Sequence, residues 1–351
     1  MSEQAPGNPL HTLRVVEFEG IGPGPLAGLM LANLGAQVTV ITRPTPLKIM
    51  QEFGGDAGNN PLRQNKRIVA LDLKTAAGVE QALELVAVAD ALIEANRPGV
   101  MERLGIGPDE CAARNPRLVY GRMTGWGQTG PLAQSAGHDL NYLALTGLLS
   151  LSARSGEAPI AAPTVMGDAA GSLGLCFGIV SAVLDARISG QGRVVDAAIV
   201  DVVAMLGTIV QLARASGQID GAEPSPFHDS PFYDSYICAD GHFITVGALE
   251  TQFYAILLAK LGLTDVDPAS QYDRKQWPAL KARFAELFAS RPRDHWCEIL
   301  EGSDACFAPV LNIAEAVNHA HNRARGIYRE TSSGLIETAP APRFSVLNPA
   351  R

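Results

Sequence analysis

The sequence predicts an α/β protein with a large domain on a parallel sheet and a smaller α+β domain. Three observations carry that expectation. Short β-rich runs alternate with helix-patterned segments from Leu13 to Met123, the order that builds βαβ units and a parallel sheet. Residues 217–230 break the composition with Gly, Pro and Ser, as a linker does. Beyond them two β-rich runs flank Ala239-Asp240-Gly241, a hairpin signal, and helical patterns follow. The expected boundaries are therefore a large domain over 1–216, a linker over 217–230 and a small domain over 231–324. Residues 325–351 return to the large domain, with 340–349 as an extended tail.

Taken in order, residues 13–18 read as a strand, 19–25 as a loop, 26–34 as a helix stopped by Gly35, and 36–41 as a second strand. Gly20, Gly22 and Gly24 are spaced by two, and Pro25 stands where a dinucleotide fingerprint needs its third glycine. The second strand ends on Arg43 instead of the acid that would hold a ribose. Both departures argue against a nicotinamide dehydrogenase, and a guanidinium there suits a phosphate. Further cations follow at strand ends. Residues 68–74 end on Lys74, before a helix capped by Thr75; residues 91–94 run into Ala95-Asn96-Arg97-Pro98-Gly99, with Arg103 a turn later. Residues 118–123 run into Thr124-Gly125-Trp126-Gly127. Ligands of open α/β sheets bind beyond the carboxyl ends of the strands. Arg43, Lys74 and Arg97 then gather on one rim, as a ligand with several phosphates would require.

Residues 137–168 hold the candidate chemistry. Gly137-His138-Asp139-Leu140-Asn141-Tyr142 places a histidine just before a helix, and Asp168 precedes another, over 172–187. An imidazole and a carboxylate differ in ordinary pKa and can face one substrate as base and acid. Backbone N–H groups at the start of the helix from Ser172 could hold developing negative charge. Taken singly, His138 also reads as a capping residue and Asp168 as an N-cap. A strand over 193–196, one apolar helix over 197–216, strands over 235–238 and 242–246, and helices over 251–261, 277–289 and 293–300 complete the reading.

Of 351 residues, 47% are hydrophobic and 18% charged, and the formal net charge is -8. That balance fits a folded enzyme and weighs against nucleic acid as a partner, since no basic stripe is present. Met1-Ser2-Glu3-Gln4-Ala5-Pro6 lacks signal-peptide character, and Asn348-Pro349-Ala350-Arg351 carries no peroxisomal tripeptide. No apolar run reads as membrane length; residues 194–213 come nearest, interrupted by Asp196 and Asp201. Cys111, Cys176, Cys238, Cys297 and Cys306 are odd in number, as expected of reduced thiols in a cytoplasm. Neither they nor His228, His242, His295, His319 and His321 have metal-ligand spacing, so no metal is expected.

The blocks just quoted, together with Asn65-Lys66-Arg67, residues 122–131, Val195-Asp196-Ala197-Ala198 and residues 246–254, resemble the family III CoA-transferases. Within these the chain is similar to the α-methylacyl-CoA racemases, over almost its whole length. The resemblance implies a Rossmann-like large domain and an interlocked homodimer, with no cofactor beyond the coenzyme A that the acyl-CoA substrate carries. It places CoA contacts on Arg43, on Leu71, Asp72, Leu73 and Lys74, on Ala95, Asn96, Arg97, Pro98 and Gly99, and on Arg103. Gly137, Asp139, Leu140, Asn141 and Tyr142 are assigned to the acyl-CoA as well. The racemase acid/base pair falls on His138 and Asp168, with Glu250 as the carboxylate that orients the histidine.

The implied reaction is 1,1-proton transfer at the α-carbon of a 2-methylacyl thioester through an enolate. A rival within the same fold is CoA transfer with Asp168 as nucleophile. The Gly137-His138-Asp139 context favours the racemase, as does a segment 221–230 without the glycine-rich run of oxalyl and formyl transferases. A non-catalytic acyl-CoA-binding protein would have no need of His138, Asp168 and Glu250 together.

Overall fold

The computed structural model describes residues 8–45, 60–154, 156–330, 334 and 336–347. The chain divides into two units, one of residues 1–207 with 340–351 and one of residues 208–339.

In the first unit, β1 (Arg14–Phe18), α1 (Pro23–Asn33) and β2 (Gln37–Thr42) form the expected βαβ unit. The helix starts at Pro23, not at Leu26, because proline costs nothing in a first turn whose N–H groups have no helical acceptor. β3 (Lys66–Ala70) is shorter and earlier than the 68–74 reading. The chain leaves the sheet at Asp72, whose Oδ1 accepts the Lys74 N–H at 3.0 Å and whose carbonyl accepts the Thr75 hydroxyl at 2.8 Å. Thr75 caps α2 (Ala76–Ala87) as expected, accepting the Gly78 N–H at 3.1 Å. Next come β4 (Ala91–Glu94), α3 (Val100–Arg103), α4 (Pro108–Arg114) and β5 (Val119–Thr124). They are followed by α5 (Asp139–Leu145), α6 (Ala170–Ser189), β6 (Arg193–Ala198) and α7 (Ile199–Leu206).

The six strands lie in the order β3-β2-β1-β4-β5-β6, and every pairing is parallel. Alternate residues feed different cores. Val15, Val38, Val40 and Ile93 enter one cluster with α1 and α6, while Val16, Phe18, Ile41 and Leu92 enter another with α2. Burial on both faces explains why these strands are near-continuously apolar. Strand order reverses between β1 and β4, so the crevice at their carboxyl ends is the place for a ligand.

Two readings are corrected here. A π-helical turn, Val165–Ala169, runs into α6, so Asp168 lies inside the helical segment and does not cap it. With those turns added, residues Val165–Ser189 are long and apolar enough to cross a membrane by length and composition. A start at Ser172 concealed that length. Its face of Leu175, Ile179, Val183 and Ala186 is buried against the sheet, as in the core helix of a globular unit.

The second unit begins with α8 (Thr208–Ala215), separated from α7 at Gly207, so residues 197–216 do not form one helix. Residues 217–230, read as a linker, fold onto this unit: the Pro224 carbonyl accepts Arg274 Nε at 2.9 Å and the His228 carbonyl accepts Lys281 Nζ at 3.0 Å. β7 (Tyr233–Ile237) and β8 (Phe243–Gly247) pair antiparallel around Gly241, which has φ +79. They are followed by α9 (Thr251–Lys260), α10 (Trp277–Ala289) and α11 (Arg293–Leu300). β9 (Phe307–Val310) joins β8 as an edge strand, where Pro309 is tolerated. Past two short helices, β10 (Tyr328–Glu330) and β11 (Ile336–Thr338) pair with each other, so the chain rejoins the first unit at Pro340 and not at 325.

Phe232, Tyr236, Phe284, Phe288 and Trp296 form the aromatic centre of the second unit. Phe284→Ala is expected to cost about 3–5 kcal/mol in urea unfolding, the usual result of leaving a cavity at a fully buried ring.

Candidate active site

The carboxyl ends of β1, β2 and β3 and the segment after β4 enclose a cavity of about 460 Å³. Its apolar wall includes Phe18, Ile41, Leu71, Leu73 and Met101, and its cations are Arg43 and Lys74. Asp72 and Asn96 also line it, so six of the residues expected to bind CoA meet in one place. Ala95, Arg97, Pro98, Gly99 and Arg103 form the adjoining loop and α3 without lining the cavity. A wall of this kind suits a nucleotide base, and two exposed cations at its mouth suit phosphates.

Sequence reasoning passed over Phe18, Met101 and Glu19 in this cavity. Glu19 accepts the Arg43 N–H at 3.2 Å and is paired with Arg63 at 2.8 Å, which offsets a carboxylate close to the expected phosphates. Its signal was position: it follows the last residue of β1 at the switch point. The loop 95–99 is held from below by Glu94, 1% exposed, which accepts the Asn96 N–H at 2.7 Å and Arg122 Nε at 3.0 Å. Burial raises the Glu94 carboxyl despite these donors. Arg122 also pairs with Glu102 on α3 at 2.9 Å, so the loop is bracketed at both ends.

His138 is the exposed N-cap residue of α5, and its N–H donates to Asn141 Oδ1 at 3.0 Å. The loop that delivers it folds around an aromatic pair. Trp126 and Tyr142 meet edge to face with centroids 4.7 Å apart, and the Tyr142 hydroxyl donates to the Gly137 carbonyl. A Cβ on Gly125 would overlap the Tyr142 ring, and one on Gly137 would sit 2.7 Å from Trp126. Both glycines are needed for close approach.

Asp139 joins the two halves of the site. Its buried Oδ1 accepts the N–H of Gly167 at 2.8 Å and that of Asp168 at 2.6 Å. The Ala169 N–H bonds to the Thr164 carbonyl and the Ala170 N–H to the Gly167 carbonyl. The N–H groups of residues 167–170 are therefore engaged, and Ser172, expected to start the helix, lies inside α6. Leu140 and Asn141 are exposed on α5, while Tyr142 is buried.

Asp168 is half-buried. Burial, and then the neighbouring Asp139 carboxylate, push its carboxyl up to about 6, and His138 opposes the rise. Asp168 therefore holds its proton to a higher pH than an ordinary aspartate, as a general acid requires. Its wall is the glycine-spaced loop: a Cβ on Gly22 would lie 3.5 Å from Asp168 Oδ2, and one on Gly24 would lie 2.9 Å from Ala95 Cβ. The Gly20-Gly22-Gly24 pattern thus lets the end of the loop and the first turn of α1 lie between Ala95 and the Asp168 carboxyl. Glu250 belongs to the second unit, immediately before α9. It makes no side-chain capping bond, which removes the capping explanation for it.

Residues 10–349 match CoA-transferase family III. The chain is 40% identical over 339 residues to a Mus musculus protein named alpha-methylacyl-CoA racemase, covering 96% of this chain and 86% of that one. It is 38% identical to the Homo sapiens protein of the same name, covering 95% of this chain and 86% of that one. A solved structure of a CAIB/BAIF family protein from Brucella suis is 25% identical with a TM-score of 0.81, covering 97% of this chain and 93% of that chain. The parallel sheet, the cavity at its switch point and this near full-length match lead to one conclusion: the chain belongs to CoA-transferase family III.

Proposed function

We propose that this chain racemises 2-methylacyl-CoA thioesters by 1,1-proton transfer, with His138 and Asp168 as the two acid/base groups. The observation that carries the reading is Asp139, next to His138, whose Oδ1 holds the N–H groups of Gly167 and Asp168 and so joins the two turns. Burial and Asp139 also raise the Asp168 carboxyl to about 6. The relatives named as racemases support the substrate class.

A thioester makes its α-proton acidic, and inversion needs one group to remove that proton from one face while another supplies one to the opposite face. His138 serves as base when Asp168 serves as acid, and the roles exchange for the reverse direction. The nucleotide end of CoA occupies the cavity beside Arg43 and Lys74. Glu250 keeps in the proposal the role that the resemblance implies for it. A homodimer belongs to the same reading. Leu173, Phe177, Leu184 and Ile188 form a stripe on α6 that is 54–82% exposed in the single chain, an apolar face that a second copy would cover.

Incubation with a single-enantiomer 2-methylacyl-CoA, followed by chiral analysis, should show loss of optical purity. His138→Gln and Asp168→Asn should each slow it by about 10²–10⁴-fold. Retained optical purity with CoA passed to an added carboxylic acid would instead make Asp168 a nucleophile. The rate in the direction that uses Asp168 as acid should fall as pH rises through about 6. Asp139→Asn keeps an acceptor for the two N–H groups but removes a like charge. Asp168 then titrates lower, and that limb of the pH–rate profile should move to lower pH.

A further inference from the structure

Beneath α1 lies an ion pair that none of the chemistry above uses. Lys66 Nζ, on edge strand β3, is 2.6 Å from Glu17 Oε2 on β1, with side chains 0% and 2% exposed. Burial pushes the Glu17 carboxyl up to about 7 and pushes the Lys66 ammonium down, each against the pull of the other. A pair this dry costs desolvation on both sides, so its remaining bonds matter. Lys66 Nζ also donates to the Pro25 carbonyl at 2.7 Å. A Cβ on Gly28 would overlap Glu17 Oε2, so the first turns of α1 rest directly on the pair.

The same loop is tied at its other end. Ser172 Oγ, fully buried, is 2.8 Å from the Pro23 carbonyl and 2.8 Å from the Asp168 carbonyl, and shares its one proton between them. Gly22, the residue that faces Asp168 Oδ2, immediately precedes the Pro23 tie. A continuous path thus runs from Glu17 through Lys66, the Pro25 and Pro23 carbonyls and Ser172 to Asp168. We infer that Glu17, Lys66 and Ser172 are positioning residues that hold residues 20–25, the glycine loop and the first turn of α1, against Asp168 and so fix where its carboxyl sits. None of the three is a catalytic residue. The importance of this positioning for turnover rests on the acid/base reading of Asp168.

Two variants test it. Ser172→Ala cuts the last link. Glu17→Gln with Lys66→Met removes both charges together, because removing one would strand the other in the core. The titratable groups facing Asp168 are His138, Asp139 and the Tyr142 phenol, and neither variant alters them. Carboxyl NMR should show Asp168 titrating below about 6 in both, since a loosened wall admits water. The kcat for inversion should fall about tenfold, with KM and CoA affinity unchanged because the nucleotide cavity is untouched. Unchanged Asp168 titration and unchanged kcat in Ser172→Ala would overturn the inference, even if the double variant fails to fold. If Asp168→Asn itself left inversion intact, the acid/base reading would fail, and the titration in Ser172→Ala would still decide the positioning role.

Discussion

One carboxylate makes the site a single object. Asp139 Oδ1 receives two backbone N–H groups, from Gly167 and Asp168, across a sequence separation that local structure cannot bridge. It therefore fixes the distance between the turn carrying His138 and the turn carrying Asp168. The same charge acts on Asp168 through space, adding to burial in raising its carboxyl above the ordinary aspartate value. Geometry and protonation thus have a common origin, and a carboxylate bound to N–H groups is a stronger anchor than a neutral acceptor.

Around that anchor the sheet does the positioning. The reversal of strand order between β1 and β4 opens the crevice, and the ends of β1 to β3 line it. Charge is managed locally in each part. Arg63 balances Glu19 beside the cavity, and Arg122 spans Glu94 and Glu102 beside the loop 95–99. A chain of net charge -8 can hold an anionic ligand where its cations stand at strand ends and carboxylates such as Glu19 are paired.

Much of this was legible in the residues. The βαβ alternation, the Thr75 cap, the Asp240-Gly241 hairpin and the cations at strand ends are local signals, and the structure has them. Six of the residues expected to bind CoA meet at the cavity for the same reason. What sequence could not give depends on tertiary contact. Gly20, Gly22 and Gly24 read as a defective dinucleotide fingerprint, because only the folded chain shows Ala95 and Asp168 against them. Asp168 read as a cap because the preceding π-helical turn has no sequence signature of its own. β9 was missed because Pro309 looks like a strand breaker until its edge position is known. The buried Lys66–Glu17 pair was invisible, since lysine is rarely found without exposure.

The central claim is that His138 and Asp168 serve opposite faces of one α-carbon. It is tested most directly by following α-proton exchange in heavy water separately for each enantiomer of a 2-methylacyl-CoA, using His138→Gln and Asp168→Asn. The account predicts that each variant loses inversion but still exchanges one enantiomer without inverting it, and that the two variants retain opposite enantiomers. Exchange of both enantiomers by one variant, or of the same enantiomer by both, would contradict it.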